Sequence, residues 1–200
     1  METPIELPPL PGTRELSWVM DSAVSRSQSP FTLAEQVYVW PGQRWGVILK
    51  LPSMGEDDAL SWQAFFADLN AMAGTFWLPE TSFLRIREID FGLAELDGAH
   101  VSGATVRTRG WTPDMRVLKK GQKIEIGGRF RMVLEDVYST DAGKALVRCW
   151  PHCRSLPDSM AVEWQAPRGV FRPASVPEFT WDKNRLQAGF QFSASEAILP

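Results

Sequence analysis

The sequence predicts an α+β protein that is mostly β: a β-sandwich-like body with one packed α-helix and a small OB-like β-barrel insert. Three observations carry this. Gly and Pro contribute 15 residues each to a chain of 200, against about 12% together in average usage, which favours many turns over long helices. Helical spacing of apolar residues occurs in one segment, Glu56–Ala73, whereas elsewhere apolar residues alternate in short runs between turn signals. Leu, Ile, Val and Phe make up a quarter of the chain and net charge is only −3, which fits a packed core and not a disordered chain. The length suits one domain, or one domain with a small insert.

The elements follow in order. Residues 1–34 read as an extended arm, because Pro4, Pro8, Pro9 and Pro11 bar helix and Ser25–Pro30 is polar and turn-rich. Leu16–Met20 is a short strand that anchors it. Gln36–Trp40 alternates, with Val37 and Val39 on one face and Tyr38 and Trp40 on the other. Pro41-Gly42 then predicts a turn into the strand Trp45–Leu51, closing a hairpin. In the helix, Glu56, Asp57 and Asp58 suit the positive end of the dipole. Trp62, Phe65, Phe66, Leu69, Met72 and Ala73 form its apolar stripe, and Gly74 sits where a left-handed cap is wanted. Thr75–Leu78 is the strand that follows.

From Phe83 the pattern is β. Strands are expected at Phe83–Ile89, Val101–Thr108 and Gln122–Ile126, with a Gly127-Gly128 hairpin turn into a strand lined by Phe130, Met132 and Leu134. Asp141-Ala142-Gly143 precedes Lys144–Trp150, which Pro151 ends. Pro157, Pro167, Pro173 and Pro177 divide the last third into short strands, and Leu186–Ala194 places Phe190 and Phe192 on one face. The division expected is an arm at 1–34, a body at 35–97 and 155–200 with its helix at 56–73, and a basic insert at 98–154.

Charge supports that division. Residues 1–100 hold 6 basic and 14 acidic side chains, net −8; residues 101–200 hold 15 and 10, net +5. Arg107, Arg109, Arg116, Lys119, Lys120, Lys123, Arg129 and Arg131 fall on adjacent hairpins of the insert. Such a surface suits an acidic partner, including the acidic half of another copy; with aromatic residues nearby it also suits single-stranded nucleic acid. An overall pI near 5.5 argues against a dedicated nucleic-acid protein.

Reaction chemistry is sparse. His100 and His152 are the two imidazoles, neither in a nucleophile motif, and Gly127-Gly128 lies between strands, away from any helix N-terminus that could hold phosphate. Cys149, His152 and Cys153 could offer three metal ligands, but the expectation is a core thiol, a loop thiol and no metal. Glu56 and Asp58 are the residues a carboxylate hydrolase would use; a dipole-matched helix start explains them. No catalytic residue, metal or cofactor is expected. The N-terminus lacks the basic start and apolar stretch of a signal peptide, and the apolar run Trp45–Leu51 is far short of the ~20 residues a spanning helix needs.

Aromatic residues are the remaining excess: nine Trp in 200 residues. Trp62 belongs to the helix stripe. Trp18, Trp40, Trp111, Trp164 and Trp181 fall in turns, strand ends or the arm, where self-burial is hard. With Arg116, Lys119, Lys120 and Lys123 they are the candidate contact residues, since aromatic side chains and Arg concentrate at interfaces.

The run WPGQRWGVILKLPSM, the helix SWQAFFADLNAMAG and TFWLPE resemble a tail or baseplate subunit of tailed bacteriophages. VSGATVRTRGW, LKKGQKIEIGGRFRMVLEDV and AGKALVRCWPHCR resemble phage minor tail proteins with an OB-like insert. As an ordering of elements over residues 36–195, the chain is most similar to the distal tail protein. The resemblance implies a non-enzymatic structural subunit of the virion, assembled in the host cytoplasm without a membrane anchor. It implies a ring-forming homo-oligomer, a hexamer, between tail-tube and tail-tip proteins, through which DNA passes without specific binding. The chain departs from the family in carrying no separate C-terminal carbohydrate-binding-like domain. The alternatives are a nucleic-acid-binding module and a tail-tip hydrolase.

Overall fold

The computed structural model describes residues 3–12, 14–80, 91–99, 101–181 and 187–198. The expected strand Phe83–Ile89, His100 and the start of Leu186–Ala194 lie outside them. In chain order the elements are β1 (Ile5–Glu6), β2 (Glu15–Gln28), β3 (Glu35–Lys50), α1 (Glu56–Asp68), β4 (Phe76–Pro79), β5 (Glu95–Leu96) and β6 (Val101–Arg109). Then come β7 (Arg116–Leu118), β8 (Lys123–Ile126), β9 (Arg129–Val133), β10 (Val137–Tyr138), β11 (Ala145–Leu156), β12 (Val162–Glu163), β13 (Arg168–Pro173) and β14 (Gln191–Glu196). The described residues are mostly β with one helix, as the sequence predicts.

One six-stranded sheet has the order β1-β4-β13-β14-β3-β2. α1 packs on it through Trp62, Phe65 and Phe66, which meet Phe76, Phe190 and Phe192; the Phe66–Phe192 rings cross edge-to-face at 5.1 Å. Each such side chain contributes roughly 1.5–3 kcal/mol on burial, before entropy. The helix is shorter than its periodicity suggests. Asn70 and Ala71, not Gly74, take left-handed backbone (φ 46° and 61°), which turns Met72 off the stripe and leaves it exposed.

The second six-stranded sheet, β12-β8-β9-β11-β6-β5, is nearly closed into a barrel. Its edges meet: Val162 N–H donates to Ala94 O at 2.8 Å and Leu96 N–H to Met160 O at 2.9 Å. This backbone pairing leaves little free edge. β8 and β9 turn on Gly127 and Gly128 at φ 63° and 73°, the paired positive values a two-residue hairpin requires. All barrel strands lie between β4 and β13, which are neighbours in the first sheet.

Four expectations are corrected. Residues 15–28 are no arm: β2 pairs with β3 along its whole length, from Glu15↔Lys50 to Gln28↔Glu35. The turn therefore falls at Ser29–Ala34, and Pro41-Gly42 sits inside β3, opposite a register shift between Ser22 and Val24. β11 runs through Pro151 to Leu156, because its register with β6 shifts between Arg148 and Cys153 and the proline occupies that irregular stretch. Cys153 is consequently a core residue and not a loop residue. Finally, the barrel core reaches Ala94 and Leu96 on one side and Val162 and Trp164 on the other, beyond the expected limits of 98 and 154.

The two cores are joined by β8 and β9. Phe130 and Met132 face the body core, where Phe130 meets Trp18 at 5.3 Å and Phe171 at 6.1 Å. Ile124, Ile126 and Val133 face the barrel core. Gly169 permits the approach: a Cβ there would come within 2.7 Å of the Phe130 ring. Charge crosses the same seam. Lys123, only 7% exposed, donates to Glu80 Oε2 at 2.6 Å and stands 3.4 Å from the Trp18 ring centroid. Burial pulls the Lys123 ammonium below its usual pKa, while Glu80 opposes that shift. Arg129 pairs with the buried Glu196 at 2.7 Å, and Glu196 Oε1 also accepts from Phe130 N–H.

Removing one partner of such a pair leaves a charge buried without compensation, at about 3–5 kcal/mol. Glu80→Ala is expected to lose an amount in that range in chemical denaturation, and Glu80→Ala with Lys123→Met to recover most of it. A loss below about 1 kcal/mol for the single variant would show that water reaches Lys123.

Candidate assembly surface

β3 has two kinds of neighbour along its length. From Gly46 to Lys50 it lies between β2 and β14. From Glu35 to Val39 only β2 pairs with it, so these residues and Val24–Gln28 project as a two-stranded ribbon. The base of the ribbon is gripped by several bonds. Arg44 pairs with Asp21 at 2.7 Å, Arg129 donates to Gln43 O at 3.0 Å, His152 N–H donates to Gln43 Oε1 at 2.9 Å and Arg154 donates to Pro41 O at 3.2 Å.

Beyond that grip the ribbon is exposed, its apolar side chains mixed with polar ones such as the Arg26–Glu35 ion pair at 3.8 Å. Val24 is paired directly with Val39 on one face; Tyr38 and Trp40 stand on the other, and all are about half or more exposed. The tip is ordered: Leu33 N–H donates to Ser29 O at 3.0 Å, and Ser29 N–H to Ala34 O at 2.9 Å. It presents Phe31 at 94% exposure. Two-stranded hairpins are marginal in water by themselves, and clustered exposed apolar side chains are candidates for contact.

The candidate contact residues separate. Trp40 is on the ribbon and exposed, and Trp181 is 38% exposed. Trp18 is half-buried under Lys123. Trp111 and Trp164 are buried in the barrel: their indole N–H groups donate to Thr108 Oγ1 at 2.7 Å and Gly92 O at 3.2 Å. The expectation that these two are hard to bury within the chain is corrected, because the barrel encloses more sequence than its charge run suggested. Lys123 is corrected likewise, from surface cation to buried ion pair. Arg116, Lys119 and Lys120 are exposed around Asp136, which pairs with Arg116 at 3.4 Å and accepts from Lys120 N–H at 2.8 Å. Those contacts hold the Asp136 carboxyl below its usual pKa.

Met20, Val24, Phe31 and Leu33 escaped notice in the sequence, although Val37–Trp40 carried a signal. Apolar side chains on both faces of a strand call for cover on both faces, and no described residue supplies it there.

A groove of about 330 Å³ on the barrel is lined by Asp97, Arg107, Asp136, Tyr138 and Lys144. Its acids are already paired, Asp97 with Lys144 at 2.9 Å and Arg109 at 3.1 Å. Glu56, Asp57 and Asp58 are exposed on the first turn of α1. No known family model matches the chain, and no curated protein matches it in sequence.

Because the ribbon beyond Val24 and Val39 is exposed and, among the described residues, pairs only with itself, replacing Ser25–Tyr38 by Asn-Gly is expected to leave the fold intact. Its midpoint of thermal unfolding should move by less than about 4 °C, the equivalent of roughly 1 kcal/mol at this size. A larger fall would mean that the ribbon supports the monomer.

Proposed function

We propose that this chain is a structural subunit of a bacteriophage tail or baseplate, a distal-tail-like ring component that works by self-association and contacts with neighbouring tail proteins. The observation that carries the reading is the ribbon. It exposes Val24, Phe31, Tyr38, Val39 and Trp40 on a rigidly rooted, two-stranded element that only another surface can cover. The order of elements along residues 36–195, similar to that of the distal tail protein, supplies the context. A contact between unlike surfaces repeats from subunit to subunit and closes into a ring when its rotation allows. The ribbon, reaching away from the body it belongs to, suits such a contact. Within that ring, the exposed Arg116, Lys119 and Lys120 would meet acidic neighbours and take no part in base recognition.

The test is the mass of the purified chain in solution by light scattering, followed by electron microscopy of any ring, alone and with a tail-tube partner. Phe31→Asp with Trp40→Ser is expected to shift the population to monomer, weakening each contact at least tenfold, while circular dichroism stays unchanged. Lys119→Glu with Lys120→Glu is expected to weaken assembly less, and more so at low salt. A wild-type chain that stays monomeric at high concentration and forms no ring with its partner would sink the proposal. A salt-sensitive shift of single-stranded DNA, without any ring, would favour nucleic-acid binding instead.

A further inference from the structure

The ribbon root and the barrel groove lie at opposite ends of one strand. Towards the end of β11, His152 N–H and Arg154 brace the ribbon at Gln43 and Pro41. At its start, Ala145 and Leu146 line the groove of about 330 Å³. From Ala145 to Arg154 the strand spans up to about 30 Å, at about 3.3 Å per residue. The buried lining of the groove is Thr108, Val137 and Ala145. Tyr138 and Leu146 stand 63% and 61% exposed beside it, and Arg107 lies opposite Leu146 in register. Asp97 and Asp136 are already paired, with Lys144 and Arg116, whereas Arg107 is exposed and pairs with no acid among the described residues. The ribbon tip has the complementary pattern. Phe31 and Leu33 are 94% and 69% exposed, so the tip does not fill the groove of its own chain. The one charge in residues 29–35 is Glu35, held loosely by Arg26 at 3.8 Å.

We propose that the ribbon tip of one copy seats Phe31 in the barrel groove of the next, between Tyr138 and Leu146, with Glu35 meeting Arg107. This contact rests on the self-association proposed above and names the surface that receives the ribbon. Tip and groove are unlike surfaces set far apart on one chain. Each docking event therefore leaves one tip and one groove free, and the contact repeats from copy to copy until the ring closes. An aromatic side chain filling a pocket concentrates contact energy, while the charge pair at the rim fixes orientation more than affinity. The bonds at Gln43 and Pro41 hold the direction of the ribbon before docking, so less ordering entropy is lost on contact.

Two full-length variants, each defective at one surface, test this by light scattering. Phe31→Asp keeps the groove and Leu146→Asp keeps the tip; both positions are exposed, so both chains should fold, which circular dichroism checks. Each variant alone is expected to associate at least tenfold more weakly than the natural chain. In a mixture, the tip of the Leu146→Asp chain enters the groove of the Phe31→Asp chain, and association should stop at a 1:1 dimer. Arg107→Glu should weaken assembly about two- to fivefold, as a surface ion pair does, and Glu35→Arg in the same chain should restore it. If the natural chain assembles and Leu146→Asp assembles equally well, the groove is not the seat, although the ring stands. A mixture that stays monomeric well above the concentration at which the natural chain assembles has the same meaning. If the natural chain and the mixture are both monomeric, the contact and the ring fall together.

Discussion

The rest of the structure hangs on the seam where Lys123 is held between Glu80 and the Trp18 ring. Glu80 follows the last residue of β4, the point at which the chain leaves the first sheet, and Lys123 opens β8 in the barrel. An ion pair that is buried on both sides has little tolerance for displacement, because either charge alone is costly in that environment. The pair therefore sets the position of barrel on sheet. Arg129 and Glu196 act the same way a few residues along, and Phe130 fills the space between them. β9 serves both cores through the two faces of one strand: Phe130 and Met132 for the body, Arg131 and Val133 for the barrel. Side-chain alternation gives a strand two sides, and here each side has a different core.

That rigid junction gives the ribbon its meaning. Arg129 and Arg154, both from barrel strands, bond to the backbone at Gln43 and Pro41. The barrel thereby braces the root of a hairpin belonging to the other sheet. What projects beyond the brace bears exposed apolar side chains on both faces and, among the described residues, is held by cross-strand pairing. A rooted and directed apolar element suits assembly better than a floppy arm does, since less ordering entropy is lost when it docks.

Much of this architecture was legible in order and type of element. The stripe Trp62, Phe65, Phe66 and Leu69, the Gly127-Gly128 hairpin and the pairing of Phe190 with Phe192 on one face follow from periodicity and turn chemistry alone. The candidate site was less legible. Pro41-Gly42 reads locally as a turn, yet β2 and β3 continue past it, because long-range pairing outweighs a local preference of about a kcal/mol. The count of basic residues in 98–154 suggested a positive surface, but charge in a sequence carries no partner. Lys123, Arg129 and Arg109 are consumed by Glu80, Glu196, Glu95 and Asp97, and all four acids lie outside the expected insert.

The sequence by itself determined the β-rich class, the helix and the Gly127-Gly128 turn, since these depend on residues a few positions apart. It also contained the excess of aromatic residues, without saying which were core. Only the tertiary structure decided that Trp111 and Trp164 are internal, that Trp40 is not, and that Lys123 and Arg131 are buried cations. Burial and charge pairing are properties of distant segments brought together, and Glu80 and Lys123 are 43 residues apart in the chain. Hydrophobic pattern tells each strand which face to hide; it does not tell it behind what.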